Sequence, residues 1–137
     1  MVETVQSWEV PIAREDDIVL VRRKARALAQ ERGFDAFAAA ALTTAASELA
    51  RNVWVHAGGG KAIIEELTDG YRTGIRMTFV DEGPGITDVE RVLQGGFSTA
   101  RSLGLGVSGT RRLVEEFDLQ TAPGRGTRVV IVKWTRF

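Results

Sequence analysis

The sequence predicts an α+β fold: a two-layer sandwich in which a mostly antiparallel sheet carries its helices on one face. Three observations predict it. The strand-like runs come as adjacent hairpins and not as βαβ repeats. Two long amphipathic segments sit side by side near the N-terminus. A length of 137 residues suits one compact domain and is too short for two.

The elements follow in order. Trp8 to Ile12 is a short apolar run stopped by Pro11 and polar residues, which suits an edge strand. A helix is predicted over Glu15 to Glu31, with Ile18, Val21, Ala25, Leu28 and Ala29 at helical spacing and Gly33 beyond its end. Arg22, Arg23, Lys24 and Arg26 crowd its middle, reading either as a solvated face or as a docking surface for an acidic partner. A second helix spans Asp35 to His56, capped by Asp35 and released at Gly58, Gly59 and Gly60. Strands near Lys61 to Leu67 and Ile75 to Asp81 are joined by a loop holding Asp69, Gly70 and Gly74. A short helix is predicted over Asp88 to Leu93. Gly95 to Gly109 contains five glycines with Ser98, Thr99, Ser102 and Ser108, too many breakers for regular structure. A helix from Val107 to Phe117 then leads to a hairpin, Asp118 to Ala122 and Thr127 to Trp134, turned by "PGRG".

Composition removes several function classes. The 18 basic and 18 acidic residues cancel, so no global field draws the chain to nucleic acid or an anionic membrane. With no cysteine and one histidine, disulfides and thiolate metal sites are excluded and a zinc site is disfavoured. The N-terminus lacks a signal-peptide pattern and no apolar run approaches the ~20 residues of a membrane span. A cytoplasmic protein is expected.

Three stretches carry chemistry. In "SELARNVWVHAGGG", Glu48 and Asn52 lie one helical turn apart at the edge of the apolar stripe of Leu42, Leu49 and Val53. Alone, an E-x-x-x-N is most often a surface acid beside a polar neighbour. In the strand ending "VDEGPGI", Ile75, Met77, Phe79 and Asp81 share one face, so Asp81 carries a carboxylate into an apolar layer. Such a group needs a donor, either a backbone N–H of the next turn or the exocyclic amine of a ligand. Gly83 and Gly85 remove side chains where a flat body could lie, and Pro84 stiffens the turn. In "GGFSTARSLGLGVSG", glycine-rich backbone runs into a helix N-terminus, a cradle for phosphate or simply a loop. "GLGVSG" matches G-x-G-x-x-G, but no βαβ unit surrounds it, and no P-loop sequence is present.

Taken in order, these motifs resemble the GHKL ATPases, the group that includes histidine kinases, gyrase and MutL. "ELARN" is similar to the N box, "DEGPG" to the first glycine box, "LGLG" (Leu103 to Gly106) to the second and "GRGT" (Gly124 to Thr127) to the last. The resemblance covers most of the chain and implies the Bergerat fold. "SELARN", "GFST" and the closing "VKW" look most like the RsbT-type serine/threonine switch kinases of the stressosome; anti-sigma factor kinases of RsbW/SpoIIAB type are the alternative.

The resemblance implies ATP with Mg²⁺ as cofactor. Asn52 would bind the metal between the nucleotide phosphates, and Glu48 would act as catalytic acid-base group toward a serine or threonine hydroxyl. Asp81 would accept from the adenine amino group, flanked by Gly83 and Gly85 and supported by Thr127. Gly104 and Gly106 would give N–H groups to phosphate, and Ser98 and Thr99 would belong to a lid. His56 reads as a packing or helix-end residue. Implied partners are STAS-domain proteins of an RsbS/RsbR-like scaffold and a PPM-type, RsbU-like phosphatase, or a sigma factor on the alternative reading.

Overall fold

The computed structural model describes residues 1–85 and 102–136, and within the latter no side chain of residues 102–106 and 108. The order is β1 (Glu3–Ile12), α1 (Asp17–Glu31), α2 (Ala36–Ala57), β2 (Gly60–Thr68), β3 (Thr73–Asp81), α3 (Ser102–Leu113), β4 (Glu116–Thr121) and β5 (Thr127–Trp134). The predicted helix over Asp88 to Leu93 lies outside the described residues, as do Ser98 and Thr99.

The five strands form one sheet in the order β1-β2-β3-β5-β4, every neighbouring pair antiparallel. The expected α+β sandwich is therefore the observed one. Period-two alternation decides which face is buried: Ile75, Met77 and Phe79 of β3 point at the helices and are at most 1% exposed. Ala62 and Ile64 of β2 and Val129 and Ile131 of β5 join them, and α1 and α2 supply the other half of this core. The opposite face carries only a small separate cluster of Leu67, Val132 and Trp134.

Helix α2 places the site. Its start is fixed by the Asp35 carboxylate accepting from Ala38 N–H at 2.7 Å, a cap contributing about 1 kcal/mol. Its end is fixed by Gly58, whose φ of 74° a side chain would resist. Leu42, Leu49 and Val53 are buried, each adding roughly 1.5–3 kcal/mol, while Ala39, Ala41, Ala45, Ala46 and Ala50 fill the rest of its inner surface with methyl groups. Helix α1 starts two residues later than the periodicity suggested. The Asp17 carboxylate accepts from Ala13 and Arg14 N–H groups at 2.9 and 3.0 Å, holding the preceding turn out of the helix.

Other boundaries also differ from the sequence expectation. β1 reaches back to Glu3 because its ladder with β2 continues to Thr68, although its first five residues are exposed on both faces and show no apolar alternation. Helix α3 begins at Ser102, not Val107, so Gly104 and Gly106 are helical. Glycine costs a helix only about 1 kcal/mol per residue, and the fold overrides it by packing α3 on α2 and burying Val107 and Thr110. The same shift ends α3 at Leu113 and starts β4 at Glu116.

Candidate functional site

The C-terminal half of α2 runs over the ends of β3 and β5, and α3 closes the third side. Between them is a cavity of about 130 Å³. Its apolar lining comes from Leu49 and Val53 of α2, Phe79 of β3, Val107 of α3 and Val129 of β5; its polar lining comes from Asn52, His56, Asp81 and Thr127. Apolar cavities of about 150 Å³ take up a benzene ring, so the space suits one flat ring with polar groups at its edge.

Asp81 is the last residue of β3, and alternation carries its half-buried carboxylate into this space. Its Oδ1 accepts from Gly83 N–H at 2.9 Å, and the backbone N–H of Thr127 is also directed at it. Burial nevertheless pushes the carboxyl above its ordinary value, against the pull of those N–H groups and of His56. The backbone donor considered from the sequence is thus present, and it leaves the acid still short of compensation.

Asn52 is more telling. Among the described residues neither its Oδ1 nor its Nδ2 finds a hydrogen-bond partner, and both atoms are buried. Leaving such groups unpaired costs about 1–3 kcal/mol each. One helical turn on, His56 also lines the cavity, and its buried Nε2 lacks a partner too. Burial lowers its pKa while the Asp81 charge pulls it back up, favouring the neutral ring. The sequence reading took His56 as a packing or helix-end residue, and it does stand in the last turn of α2; the four-residue spacing Asn52 to His56 was the signal that could have placed it here as well.

The glycines act differently from the expectation. A Cβ on Gly83 would lie 2.6 Å from Ala57 Cβ, so the bare backbone makes room for the end of α2. Gly85, at φ 77°, would collide with the Ala122 carbonyl, and the neighbouring Pro84 carbonyl accepts from Gly124 N–H at 2.8 Å. Only Gly85 of the two lines the cavity. Thr127 reaches it while its Oγ1 contacts Thr121 Oγ1 at 3.0 Å.

Glu48 stands one turn before Asn52, outside the cavity lining, with Oε1 held by Arg51 Nη1 at 3.0 Å. Gly104 lies in the first turn of α3, where the N–H groups of a helix have no partner within it, and Gly106 follows in the second turn. Asn52, Asp81, Gly85 and Thr127 are thus brought together, Gly83 supports Asp81 from below, and Glu48 flanks the group. No set of three or more His, Asp or Glu able to hold a metal occurs among the described residues. Any cation here would need most of its ligands from a bound molecule, the habit of Mg²⁺ with nucleotide phosphates. The free Asn52 oxygen fits one such ligand position.

Comparison with known proteins gives the following. Residues 12–133 match the family described as histidine kinase-like ATPase domain. The chain is 43% identical over 127 residues to serine/threonine-protein kinase RsbT of Bacillus subtilis, covering 93% of this chain and 96% of that one. It is 32% identical over 97 residues to an anti-sigma F factor of Caldanaerobacter subterraneus, covering 68% of each. A solved histidine kinase domain of Erythrobacter litoralis, 20% identical, aligns at TM-score 0.48 over 90% of this chain and 60% of that one.

Proposed function

From the premise that the chain belongs to the histidine kinase-like ATPase family, we propose that it is a single-domain, ATP-dependent serine/threonine protein kinase of RsbT type. Its substrates are STAS-domain proteins of a stressosome scaffold, and on release it activates a PPM-type phosphatase in the cytoplasm. One observation carries the reading: an amide with both polar atoms orphaned and a carboxylate with raised pKa face one ring-sized cavity. Each lacks what a nucleotide and its metal would supply.

In this reading Asp81 accepts from the adenine amino group, with Gly85 and Thr127 bordering the base and His56 beside it. Gly83 holds the Asp81 carboxylate from the backbone. The N-terminus of α3, with Gly104 in its first turn and Gly106 just beyond it, offers N–H groups and a helix dipole to the phosphates. Asn52 Oδ1 would hold Mg²⁺, which would supply neutralisation of phosphate charge during transfer. Glu48 takes the proton from the serine or threonine hydroxyl as that oxygen bonds to the γ-phosphorus and the bond to the β-phosphate oxygen breaks, releasing ADP. Its carboxylate pairs with Arg51 on the partly exposed surface of α2, where a protein hydroxyl can approach.

The anti-sigma reading, a partner protein that sequesters a sigma factor, has support from matches covering 68% of the chain; the kinase match covers 93% at higher identity. The test is incubation with γ-labelled ATP and a STAS-domain protein. The expected outcome is label on serine or threonine, reduced about 10²- to 10⁴-fold by Glu48→Gln with Mg-ATP binding retained. Bound ATP, no label on any STAS protein and recovery of a sigma factor on co-purification would replace the kinase reading with the anti-sigma one.

A further inference from the structure

The four residues between α1 and α2 fold the second helix back along the first, and among the described residues the pair is the most extensive helix contact. Their outer surfaces do not close. A groove of about 520 Å³ remains, floored by Ala39, Ala40, Thr43 and Thr44 of α2 and walled by Arg26 and Gln30 of α1. The Thr43 hydroxyl is spent on the Ala39 carbonyl at 2.7 Å, so it adds little polarity to the floor.

The wall is different. Arg22 lies four residues before Arg26, on the same side of α1, with Arg23 beside them, and all three are exposed. Among the described residues none of the three takes part in an ion pair. Nearby cations behave otherwise: Arg32 just past α1 holds Glu66 at 2.8 Å, and Arg51 of α2 holds Glu48 at 3.0 Å. Lys24, on the other side of α1, lies over the Trp8 ring at 4.2 Å. Arg26, which lines the groove, and Arg22 and Arg23, exposed beside it on α1, are therefore guanidinium groups open to an incoming anion.

The groove also has a direction. Ala40, Thr44 and Glu48 succeed one another at four-residue spacing, so the floor ends one helical turn, about 6 Å, before the proposed base. Because the helices run antiparallel, Arg22 stands nearer that end than Arg26. A chain lying on the alanine floor with carboxylates on Arg26 and Arg22 would lead its next residues to Glu48.

We propose that the α1–α2 groove is the docking track for an acidic segment of the protein substrate, delivering its serine or threonine hydroxyl to Glu48; this rests on the kinase reading above. An acidic polypeptide fits where other anions do not. The chain is neutral overall, with 18 charges of each sign, so it lacks the field that holds nucleic acid or an anionic bilayer. A floor of methyl and threonine side chains admits close approach of a backbone.

The test is steady-state phosphorylation of a STAS-domain protein by Arg22→Glu/Arg26→Glu and, separately, by Ala40→Trp, which fills the groove without touching charge. All three positions are exposed, and unchanged melting temperatures check that both variants fold. The expected result is a KM for the protein substrate raised about tenfold or more in each, with ATP affinity and kcat unchanged. Added salt should raise the wild-type KM and leave that of the charge-reversed variant nearly constant. Unchanged KM values in both variants would overturn the docking track while the kinase reading stood. Absence of any STAS phosphorylation by the wild type would remove both. If the reversal altered only binding to duplex DNA or phosphatidylglycerol vesicles, the acidic-protein assignment would be wrong.

Discussion

Asp81→Asn removes a charge and keeps a shape, which makes its consequences calculable. The asparagine oxygen can still accept from Gly83 N–H, as Oδ1 now does at 2.9 Å. That choice turns the new NH₂ group toward the cavity, where the adenine amine is also a donor. A hydrogen bond to a charged acceptor contributes about 1.5–3 kcal/mol, and a donor facing a donor adds a desolvation cost. A total of about 3 kcal/mol weakens Mg-ATP binding about a hundredfold, read by isothermal titration. Without nucleotide the effect reverses. Burial raises the pKa of Asp81 in the folded chain, so the ionised carboxylate is penalised on folding. With a raised folded value, the relative stability gained from the protonated form is full below the ordinary carboxylate pKa and is lost as pH rises through the folded one. At neutral pH the wild type carries the whole cost and the variant none. The apo variant should therefore melt higher than wild type at pH 7, the gap closing in acid, while wild-type ATP binding falls as pH drops through the same raised value. ATP affinity unchanged by Asp81→Asn would refute the adenine assignment and the reasoning behind it.

Asn52→Leu should act in the same double sense. Removing two buried, unpartnered polar atoms raises apo stability by about 1–3 kcal/mol per atom, seen in urea denaturation, while Mg-ATP binding is lost and metal-free nucleotide binding is affected less. Gly83→Val should destabilise by about 1–3 kcal/mol through overpacking, since even a Cβ there meets Ala57 Cβ at 2.6 Å. A melting temperature equal to wild type would show that α2 and the turn separate freely.

The two-layer fold was legible because its deciding signals are local. Asp35 and Gly58 bracket α2 by cap chemistry, and the run Ile75, Met77, Phe79, Asp81 declares its buried face by alternation alone. The start of β1 was not legible, because Glu3 to Ser7 are exposed on both sides and owe their extended form to pairing with β2, a contact more than fifty residues away. Helix α3 was misplaced for a related reason: Gly104 and Gly106 disfavour helix locally, and packing against α2 decides otherwise. In the site, the positions of Asn52 and Asp81 were readable from period and strand end. His56 was not assigned there, since a lone histidine near a helix terminus has many roles and only the cavity distinguishes among them.

The glycines around Asp81 explain how the chain tolerates this acid. Gly60 on β2 lies against the Val80 carbonyl and Asp81 Cα, and Gly126 before β5 lies against the Asp81 carbonyl and Glu82 Cα. Gly83 lets the following turn press on Ala57 at the end of α2. Three independent elements thus approach one strand end at backbone distance, which no side chain at those positions would permit. The glycines clear space for the protein's own backbone, and the result is a strand end held by its neighbours, with the Asp81 carboxylate accepting from the Gly83 and Thr127 N–H groups. Preorganisation of this kind removes the reorganisation cost a mobile acid would incur on binding. The Asp81 carboxylate stays half-buried in the unliganded fold, so its burial penalty is retained until a donor enters the cavity. The same geometry that makes Asp81 costly to the empty protein makes it selective for a ligand with an amine at that edge.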